Sequence, residues 1–270
     1  NAGTHTSTAS ISSVSGGRAN KNNYALTGNT KQFTIARAKT ATASAANKTY
    51  NGATQTGVTG SQLTWSGTQS AIDAGTYTAK ATPTSNYAWN DGTTGEKTIT
   101  WTMNKKSVAV TWGSTTFTYN GKEQGPTVSA TSGVSGETIN VTRTTATNAG
   151  THTSTASISS VSGGRKNKNN YTLTGNTKQF TINKKAIQKT ASNYSGNYDG
   201  SSHTITLVVN EPKSGCTIYY STSAELTSSN YSSSGSTSKP SRTSAGTTTV
   251  YWYIHTTNAN YSDISGSNTI

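Results

Sequence analysis

Few residues in this sequence have the types and spacing that enzymatic chemistry requires. The four histidines are His5, His152, His203 and His255, and none stands in a metal-ligand pattern such as HExxH. The nine acidic residues are scattered, and no two of them form an evident pair for acid–base work on sugars. His5 and His152 occupy the same position of a repeat within a strand-like run, which favours packing or a surface role. We therefore predict a protein that is not an enzyme and that binds no cofactor.

Residues 90–96 and the single cysteine are the other candidates for chemistry. The run NDGTTGE contains acids and turn residues but lacks the alternating Asp/Asn ligands of a calcium loop. A plain hairpin turn is the prediction there, with metal binding as the alternative. Cys216 lies in the strand-like run CTIYY, which indicates a buried structural thiol, and a lone cysteine excludes an intrachain disulfide.

Two copies of a basic loop are the candidates for ligand binding. The loop carries Arg18, Lys21 and Tyr24 in its first copy, and Arg165, Lys166, Lys168 and Tyr171 in its second. Neighbouring Asn amides can hydrogen-bond sugar hydroxyls and the tyrosines can stack, so we predict contacts to an anionic glycan or cell-wall polymer. A solvated loop is the plainer alternative. The net charge of +13 favours anionic partners, but nucleic acid is the least favoured because no nucleic-acid motif appears.

Internal repetition determines how these residues are arranged. Residues 1–36 recur at 148–183 with three differences, in which Ala19, Ala25 and Ala36 become Lys166, Thr172 and Asn183. Agreement this close indicates a duplicated unit. Because the second copy lies inside a repeat that began earlier, we expect the chain to open partway through a domain.

Shorter motifs mark the other repeats. A Tyr-Asx-Gly turn, an Ala-Gly-Thr strand start and an Asn-Tyr pair each recur along the chain. The Tyr-Asx-Gly turns begin at Tyr50, Tyr119 and Tyr198. The glycines of the Ala-Gly-Thr strand starts are Gly3, Gly75, Gly150 and Gly246, and the tyrosines of the Asn-Tyr pairs that follow them are Tyr24, Tyr87, Tyr171 and Tyr261. These motifs predict half a module at 1–37, complete modules at 38–105 and 106–184, and a longer module at 185–270, which stops within its expected final strand.

Composition and periodicity favour thin β-modules. Leu, Ile, Val and Phe together make up 32 of 270 residues, below the roughly 20% expected of a globular core. Tyr77, Ala79 and Ala81 alternate with polar residues, as in a half-buried strand, and no window shows a 3.6-residue apolar stripe. The prediction is an all-β chain of tandem immunoglobulin-like antiparallel β-sandwich modules, extending over roughly 100 Å. No apolar run is long enough for a membrane span.

Three runs carry a family resemblance. YNGATQTGV, AIDAGTYTAKATPTSNYAWNDG and EKTITWTMNKK resemble the MBG/YDG-type immunoglobulin-like repeats of large bacterial surface proteins, which also occur in phage virion proteins. Residues 185–270 are similar to a longer variant of that class. The resemblance implies an extracellular stalk or adhesin segment at the bacterial cell surface, without catalytic residues. Modules of this kind can also be locked by a Lys-to-Asn isopeptide bond.

Two other functions remain open at the level of sequence. One is a phage virion fibre or decoration protein built from the same modules. The other is a strand-exchanging extracellular filament subunit, because half a module exposes unpaired strand edges that a neighbour can pair with. The expected partners are neighbouring modules of the same protein, anionic glycans or cell-wall polymers, and other copies through strand edges.

Overall fold

The structure is a computed structural model that describes all 270 residues, and it is built almost entirely of β-strands, with 51% strand and 4% helix. The predicted all-β class is confirmed. The α-helix α1 (Tyr231–Ser234) and two 3-10 helices (Lys21–Asn23 and Lys168–Asn170) are each about one turn long. Such short helices carry no 3.6-residue apolar stripe, so sequence periodicity does not predict them. None of the helices has the length and apolar character that crossing a membrane would take.

Twenty-five strands make up the sheets. They are β1 (Gly3–Thr8), β2 (Thr30–Ile35), β3 (Ala38–Ala45), β4 (Lys48–Thr49), β5 (Gln55–Thr56), β6 (Val58–Ser61), β7 (Leu63–Gly67), β8 (Ser70–Ala71), β9 (Gly75–Pro83), β10 (Tyr87–Trp89), β11 (Lys97–Asn104), β12 (Lys106–Trp112), β13 (Thr116–Thr118), β14 (Val128–Ala130), β15 (Thr138–Arg143), β16 (Gly150–Ser162), β17 (Tyr171–Thr174), β18 (Thr177–Asn183), β19 (Lys185–Ala186), β20 (Gln188–Ser192), β21 (Thr206–Glu211), β22 (Cys216–Ser221), β23 (Thr249–Thr256), β24 (Tyr261–Ser262) and β25 (Ile264–Thr269).

The chain divides into two compact units. The first contains Asn1–Val108, Thr131–Ile139 and Ser160–Thr172, and the second contains Ala109–Ala130, Asn140–Ser159 and Leu173–Ile270. Each unit therefore combines stretches that are distant in sequence. The module boundaries predicted at residues 37, 105 and 184 stay predictions.

In the first unit, the first copy of the duplicated segment forms a two-stranded antiparallel sheet. β1 and β2 pair from Gly3 opposite Ile35, and this register sets His5 opposite Phe33. The His5 and Phe33 rings lie 5.6 Å apart between centroids. Most side chains of this sheet are exposed, including Phe33 at 48% and Ile35 at 46%.

Also in the first unit, residues 38–105 form the short two-stranded sheet β5-β8 and two larger sheets that share a core. One sheet has the strand order β10-β3-β6 and the other has the order β4-β11-β9-β7. Ala41 and Trp89 of the first sheet pack against Ala81 of the second. A neighbouring cluster contains Trp101 and Met103, both about 1% exposed.

The alternation predicted for β9 is confirmed. Ala79 and Ala81 are completely buried, and Tyr77 is half-buried on the same face, whereas Thr78 and Lys80 are exposed. The small side chains on the buried face of this strand pack with large rings, since Ala79 lies in a cluster with Trp101 of β11 and Ala81 lies in a cluster with Trp89 of β10. A chain poor in aliphatic residues thus builds its core from alanine and aromatic side chains.

In the second unit, residues 148–159 and 173–183 of the second copy contribute to a larger sheet of order β13-β18-β16-β15. β18 pairs antiparallel with β16 and parallel with β13 on its other edge. Phe180 packs edge-on against Phe117 of β13, with ring centroids 6.0 Å apart. Phe180 and Ile182 are consequently only 2% and 1% exposed.

The remainder of the second unit is centred on β23, which lies between β22 and β25. Val250, Trp252 and Ile254 of β23 are buried on one face, and Tyr253 is buried on the other. They join a single core with side chains from β20, β21, β22 and β24 and their flanking residues. Cys216 is half-buried and packs at the edge of this core.

Candidate functional site

Asparagine side chains join distant parts of the chain at three places, in the same way each time. The asparagine belongs to an Asn-Tyr pair, and its partner is an Asx-Ala-Gly run, in which Asx is Asn or Asp. The asparagine Oδ1 accepts a hydrogen bond from the alanine backbone N–H, and the Nδ2 donates to the Asx side chain. We call this arrangement an asparagine clamp.

The three clamps have nearly identical dimensions. In clamp 1, Asn86 Oδ1 lies 2.8 Å from Ala2 N, and Asn86 Nδ2 lies 3.2 Å from Asn1 Oδ1. In clamp 2, the distances from Asn170 to Ala74 N and Asp73 Oδ1 are 2.7 and 2.9 Å. In clamp 3, the distances from Asn260 to Ala149 N and Asn148 Oδ1 are 2.7 and 3.2 Å. Clamps 1 and 2 lie in the first unit, and clamp 3 lies in the second.

The Asx residue of each clamp is fixed by a side chain four positions further along the chain. His5 Nε2 donates to the Asn1 carbonyl at 2.7 Å, and His152 Nε2 donates to the Asn148 carbonyl at 2.8 Å. In clamp 2, the Tyr77 hydroxyl donates to the Asp73 carbonyl at 2.7 Å. These contacts assign His5 and His152 to a structural role, at the strand position that Tyr77 occupies elsewhere.

A pair of tyrosines accompanies two of the clamps. Tyr171, next to Asn170, packs edge-on against Tyr50 with ring centroids 5.4 Å apart. Tyr261, next to Asn260, packs edge-on against Tyr119 at 5.5 Å. In each pair one ring comes from an Asn-Tyr pair and the other from a Tyr-Asn-Gly turn, and edge-to-face contact is the favoured geometry for aromatic rings. The turn is tight because its glycine takes a positive φ, for example +84° at Gly52.

A buried carboxylate connects the tyrosines of clamp 2. Glu137 accepts one hydrogen bond from Tyr50 and one from Tyr171, each 2.5 Å long. Burial alone would raise the pKa of Glu137, but these hydrogen bonds and a third from the Arg165 backbone N–H outweigh it and lower the pKa. Burial and the bond to Glu137 raise the pKa of Tyr50 to about 12, and the same two causes raise the pKa of Tyr171. The carboxylate therefore stays ionised while both phenols stay protonated.

Clamp 3 uses a different acid. Glu211 accepts a hydrogen bond from the Tyr261 hydroxyl at 2.6 Å and forms an ion pair with Lys185 at 2.5 Å. The bond to Glu211, followed by burial, raises the pKa of Tyr261 to about 12. The hydrogen bonds from Lys185 and Tyr261 lower the pKa of Glu211.

The structure divides the residues of the predicted ligand loops into two groups. In the second copy, Arg165 forms an ion pair with Asp73 at 2.7 Å, and Tyr171 is 3% exposed and bound to Glu137. Lys166 and Lys168 of that loop are exposed. Thus Arg165 and Tyr171 are already engaged in clamp 2, and only the two lysines of this copy face solvent freely.

The first copy of the loop is exposed as a whole. Arg18 and Lys21 are exposed, and Tyr24 is 59% exposed. The loop nevertheless has the same backbone design as the second copy, because Asn20 Oδ1 accepts from Asn22 N just as Asn167 accepts from Asn169 N. Its basic and aromatic side chains are therefore exposed on a turn that this hydrogen bond closes.

A cleft of about 480 Å³ lies in the second unit, and we call it the Tyr198 cleft. Its walls include Tyr194, Tyr198, Asp199, His203, Arg242 and residues 244–246. His203 stacks on Tyr194 with ring centroids 4.0 Å apart and contacts Asp199 at 2.9 Å. Tyr198 is 71% exposed. The cleft contains the third Tyr-Asx-Gly turn and the fourth Ala-Gly-Thr run of the sequence.

His255 and Asp263 form the arrangement that most resembles a catalytic pair. Asp263 accepts hydrogen bonds from His255 Nδ1 and the Tyr253 hydroxyl, both at 2.9 Å, and from the Thr256 backbone N–H. Tyr231 stacks on both the Tyr253 and His255 rings, at 4.6 and 5.1 Å. No serine or cysteine completes a nucleophile–base pair here, and the contacts join α1 to β23.

The acids of the candidate metal-binding turn at residues 90–96 are paired with lysines of the adjacent strands β9 and β11. Asp91 pairs with Lys97 at 2.9 Å, and Glu96 pairs with Lys80 at 2.8 Å. Asp91 also accepts from the Thr93 hydroxyl and backbone N–H, which closes the turn. No group of three or more His, Cys, Asp or Glu side chains is placed to hold a metal ion.

The chain matches no protein-family model, and no curated protein sequence matches it either.

The motifs that make up the clamps are visible in the sequence, but their pairing is not. The Asn-Tyr and Ala-Gly-Thr motifs mark repeats, whereas each clamp joins residues 84 to 111 positions apart. The available signal is order: each Asx-Ala-Gly run binds the asparagine of the first Asn-Tyr pair after the next Ala-Gly-Thr run along the chain. Sequence reasoning assigned Tyr171 to ligand binding because it does not show that Tyr50 and Glu137 bury that ring.

Proposed function

We propose that this chain is a non-enzymatic extracellular segment of tandem immunoglobulin-like modules, which acts as a stalk or adhesin segment at a bacterial surface. The observation that supports this most strongly is the asparagine clamp, which recurs three times with the same partners. A spacer needs fixed joints between successive repeats, and a pair of hydrogen bonds, one to a backbone amide and one to a side chain, supplies a defined geometry. A flexible linker would not supply a defined geometry.

The joint at clamp 2 has the burial that a fixed connection requires. Asn170 is completely buried, and its side-chain oxygen and nitrogen each have a hydrogen-bond partner, Ala74 N–H and the Asp73 carboxylate respectively. Leaving such a group without partners in a dry site is costly, so the joint opens only with difficulty. Tyr50 and Glu137 extend the same buried polar network.

Distance measurements across clamp 2 test this proposal. Spin labels on Thr64→Cys and Ser162→Cys, in a Cys216→Ser background, place both probes at exposed positions within the first unit. We expect a single narrow distance distribution, and a broader one when Asn170→Ala removes the clamp. Asn23→Ala, at the exposed counterpart of Asn170, is the matched control and leaves the distribution narrow. A broad distribution in the parent protein contradicts a spacer with fixed joints.

Display of a binding region is the second part of the proposal. Arg18, Lys21 and Tyr24 are presented together on an exposed turn, and this supports their assignment as contacts to an anionic glycan or cell-wall polymer. A phage virion fibre would use the same joints and the same exposed turn. The genes that adjoin this one distinguish a bacterial surface protein from a virion component.

A strand-exchanging filament subunit is a second candidate, because one observation favours it. Phe33 and Ile35 of β2 are about half exposed, whereas their counterparts Phe180 and Ile182 are covered by β13 and are almost fully buried. A peptide of residues 113–121 added to the protein should pair with β2 and protect its amides from hydrogen exchange. A scrambled peptide is the control, and equal protection by both peptides removes this candidate.

A further inference from the structure

We propose that Asn120-Gly121 is a site of spontaneous covalent modification, at which the asparagine loses its side-chain amide and becomes an aspartyl or isoaspartyl residue, whereas Asn51-Gly52 is protected from the same reaction. These are the only two Asn-Gly pairs in the sequence, and both follow a tyrosine. The inference is independent of the spacer function, because it concerns the chemistry of the turns themselves. It rests on the different surroundings of two turns with the same sequence.

The reaction needs an asparagine, an unhindered backbone nitrogen after it, and water. The Gly121 nitrogen loses its proton to solvent base and bonds to Asn120 Cγ, the Cγ–Nδ2 bond breaks, and the amide nitrogen takes up a proton and leaves as ammonia. Water then opens the cyclic imide. Breaking the new bond to Cγ gives aspartate, and breaking the original peptide bond gives isoaspartate. Glycine favours ring closure because it has no side chain to obstruct its nitrogen.

The two turns have the same local structure. Asn120 Oδ1 accepts a hydrogen bond from the Lys122 backbone N–H at 2.9 Å, and Asn51 Oδ1 accepts one from the Ala53 backbone N–H at 3.0 Å. The glycines that follow the two asparagines have φ values of +78° and +84°. A difference in reactivity must therefore come from contacts outside this shared hydrogen bond.

Asn51 is held by a second donor that Asn120 lacks. Gln55 Nε2 donates to Asn51 Oδ1 at 3.1 Å and to the Thr49 carbonyl at 2.8 Å. The counterpart of Gln55 is Gln124, which makes no hydrogen bond to Asn120 and whose Oε1 is buried without a partner. Ring closure requires the asparagine side chain to rotate until Cγ faces the glycine nitrogen. The second bond restrains that rotation at Asn51, and the Asn120 side chain is freer to make it.

The glycine of the protected turn is packed, and the glycine of the reactive turn is open. A Cβ atom on Gly52 would lie 2.6 Å from Val134 Cγ1, so the Val134 side chain lies directly against this backbone. A Cβ atom on Gly121 would meet no other atom within 4 Å. Asn120 and Gly121 are both exposed. Solvent base therefore reaches the Gly121 nitrogen, and ring closure displaces no neighbour.

The third Tyr-Asx-Gly turn shows that the aspartyl product fits. Asp199 stands at the position that corresponds to Asn120. Its Oδ1 accepts a hydrogen bond from the Ser201 backbone N–H at 2.8 Å, which is the bond that closes the other two turns. An aspartate at residue 120 therefore preserves the turn and adds a negative charge.

The isoaspartyl product would instead alter the surroundings of clamp 3. It adds one carbon to the backbone immediately after Tyr119, whose N–H donates to the Asn183 carbonyl at 2.9 Å and whose ring packs against Tyr261. The chain would therefore acquire an irreversible change beside clamp 3, while clamp 2, which contains Tyr50, stays unmodified.

Peptide mapping by mass spectrometry tests the proposal. The folded protein is incubated at mildly alkaline pH, and aspartyl and isoaspartyl residues at positions 51 and 120 are quantified over time. We expect Asn120 to react at least about tenfold faster than Asn51, which corresponds to about 1.4 kcal/mol in activation free energy. Protein unfolded in guanidinium chloride should react at similar rates at both positions, because both asparagines lie between tyrosine and glycine. Equal rates in the folded protein, or no reaction at Asn120, would overturn the proposal.

Substitutions identify the restraint at Asn51. Gln55→Ala should accelerate the reaction there and leave Asn120 unchanged, and the matched control Gln124→Ala should change neither rate. Asn120→Asp provides the standard for the aspartyl product and should fold like the parent protein by circular dichroism. A slower reaction at Asn51 in Gln55→Ala would mean that the Gln55 amide activates Cγ by stabilising charge on Oδ1, which contradicts the assigned protection.

Discussion

At the scale of single residues, Glu137 is the acid on which the clamp 2 network depends. Its two carboxylate oxygens accept from the hydroxyls of Tyr50 and Tyr171, and one of them also accepts from the Arg165 backbone N–H. Hydrogen bonds to a charged group are stronger than neutral ones. Glu137 is only 9% exposed. Water can therefore hardly replace a hydrogen bond to its carboxylate when the donor is removed.

Removing one hydroxyl from this network should destabilise the first unit measurably. Tyr50→Phe keeps the ring contact with Tyr171 but leaves a carboxylate oxygen with fewer donors. We expect a loss of about 1 to 3 kcal/mol in the free energy of unfolding, measured by chemical denaturation. Tyr198→Phe, at an exposed tyrosine, is the matched control and should change stability little. Equal effects of the two substitutions would mean that the network contributes nothing.

The pH dependence of stability follows from the same carboxylate. The pKa of Glu137 is lowered in the folded protein, and the Arg165 and Asn170 side chains lower the pKa of Asp73 in the same way. The unfolded chain therefore binds more protons as the pH falls below the ordinary carboxyl pKa of about 4.3. Stability should be constant from about pH 6 down to 5 and then decrease with falling pH. Denaturation curves of Glu137→Gln should show a shallower acid decrease, and an unchanged slope would contradict this assignment.

Sequence reasoning at this scale succeeded where a side chain acts within its own strand. The alternation of Tyr77, Ala79 and Ala81 correctly predicted which residues face the core, because neighbours in a strand point to opposite faces. It could not assign Tyr171, whose environment is set by Tyr50, 121 positions earlier in the chain. The exposed counterpart Tyr24 shows that the dipeptide alone does not determine burial.

At the scale of elements, the duplicated segment provides one sequence in two environments. β1 and β2 form a sheet of two strands, whereas β16 and β18 lie in a sheet of four. An isolated pair of strands is marginally stable in water, and further strands with a covered apolar face are needed for independent stability. The difference comes from the neighbours of β18, because the two copies differ at only three positions.

Hydrogen exchange should separate the two copies clearly. Amides of β1 and β2 should exchange faster than the matching amides of β16 and β18, because fewer contacts must break to expose them. The peptides of residues 30–36 and 177–183 share the sequence TKQFTI and differ only at their last residue, so their masses distinguish them while their intrinsic exchange rates nearly cancel. Equal protection of both peptides would show that another partner covers β2.

Element types were largely predictable and element partners were not. The Tyr-Asx-Gly tripeptides correctly predicted turns, and their glycines have φ values of +84°, +78° and +76° at Gly52, Gly121 and Gly200. These turns follow from local chemistry, since glycine tolerates a positive φ. The parallel pairing of β13 with β18 depends on chain segments more than 60 residues apart, and no local pattern encodes it.

At the scale of the whole molecule, the net charge of +13 should govern binding to anionic polymers. Because exposed charges are screened beyond about 8 Å at physiological ionic strength, retention on a sulfated polysaccharide column should fall as salt rises. Arg18→Ala/Lys21→Ala should elute at lower salt than Arg165→Ala, because Arg165 is already paired with Asp73. Lys31→Ala/Lys178→Ala removes the same charge outside the loops and is the control. Equal shifts for the two double variants, which remove the same charge, would assign binding to net charge alone.

The overall class was predictable because composition restricts it strongly. A chain with 32 large aliphatic and Phe residues in 270 cannot fill a deep interior, and the observed cores contain mainly aromatic, alanine and β-branched side chains. The division into two units was not predictable. It depends on stretches such as Thr131–Ile139 and Ser160–Thr172, which pack with the first unit rather than with their neighbours in sequence.

The asparagine clamp has a consequence for how such a gene can change. Each clamp requires a backbone N–H, one amide and a small run of turn residues, and the same parts recur along the chain. An inserted repeat therefore carries both an Asx-Ala-Gly run and an Asn-Tyr pair for its clamps, and a deleted repeat removes one of each. Unequal recombination between the near-identical copies at 1–36 and 148–183 would lengthen or shorten the protein without the need to evolve a new interface.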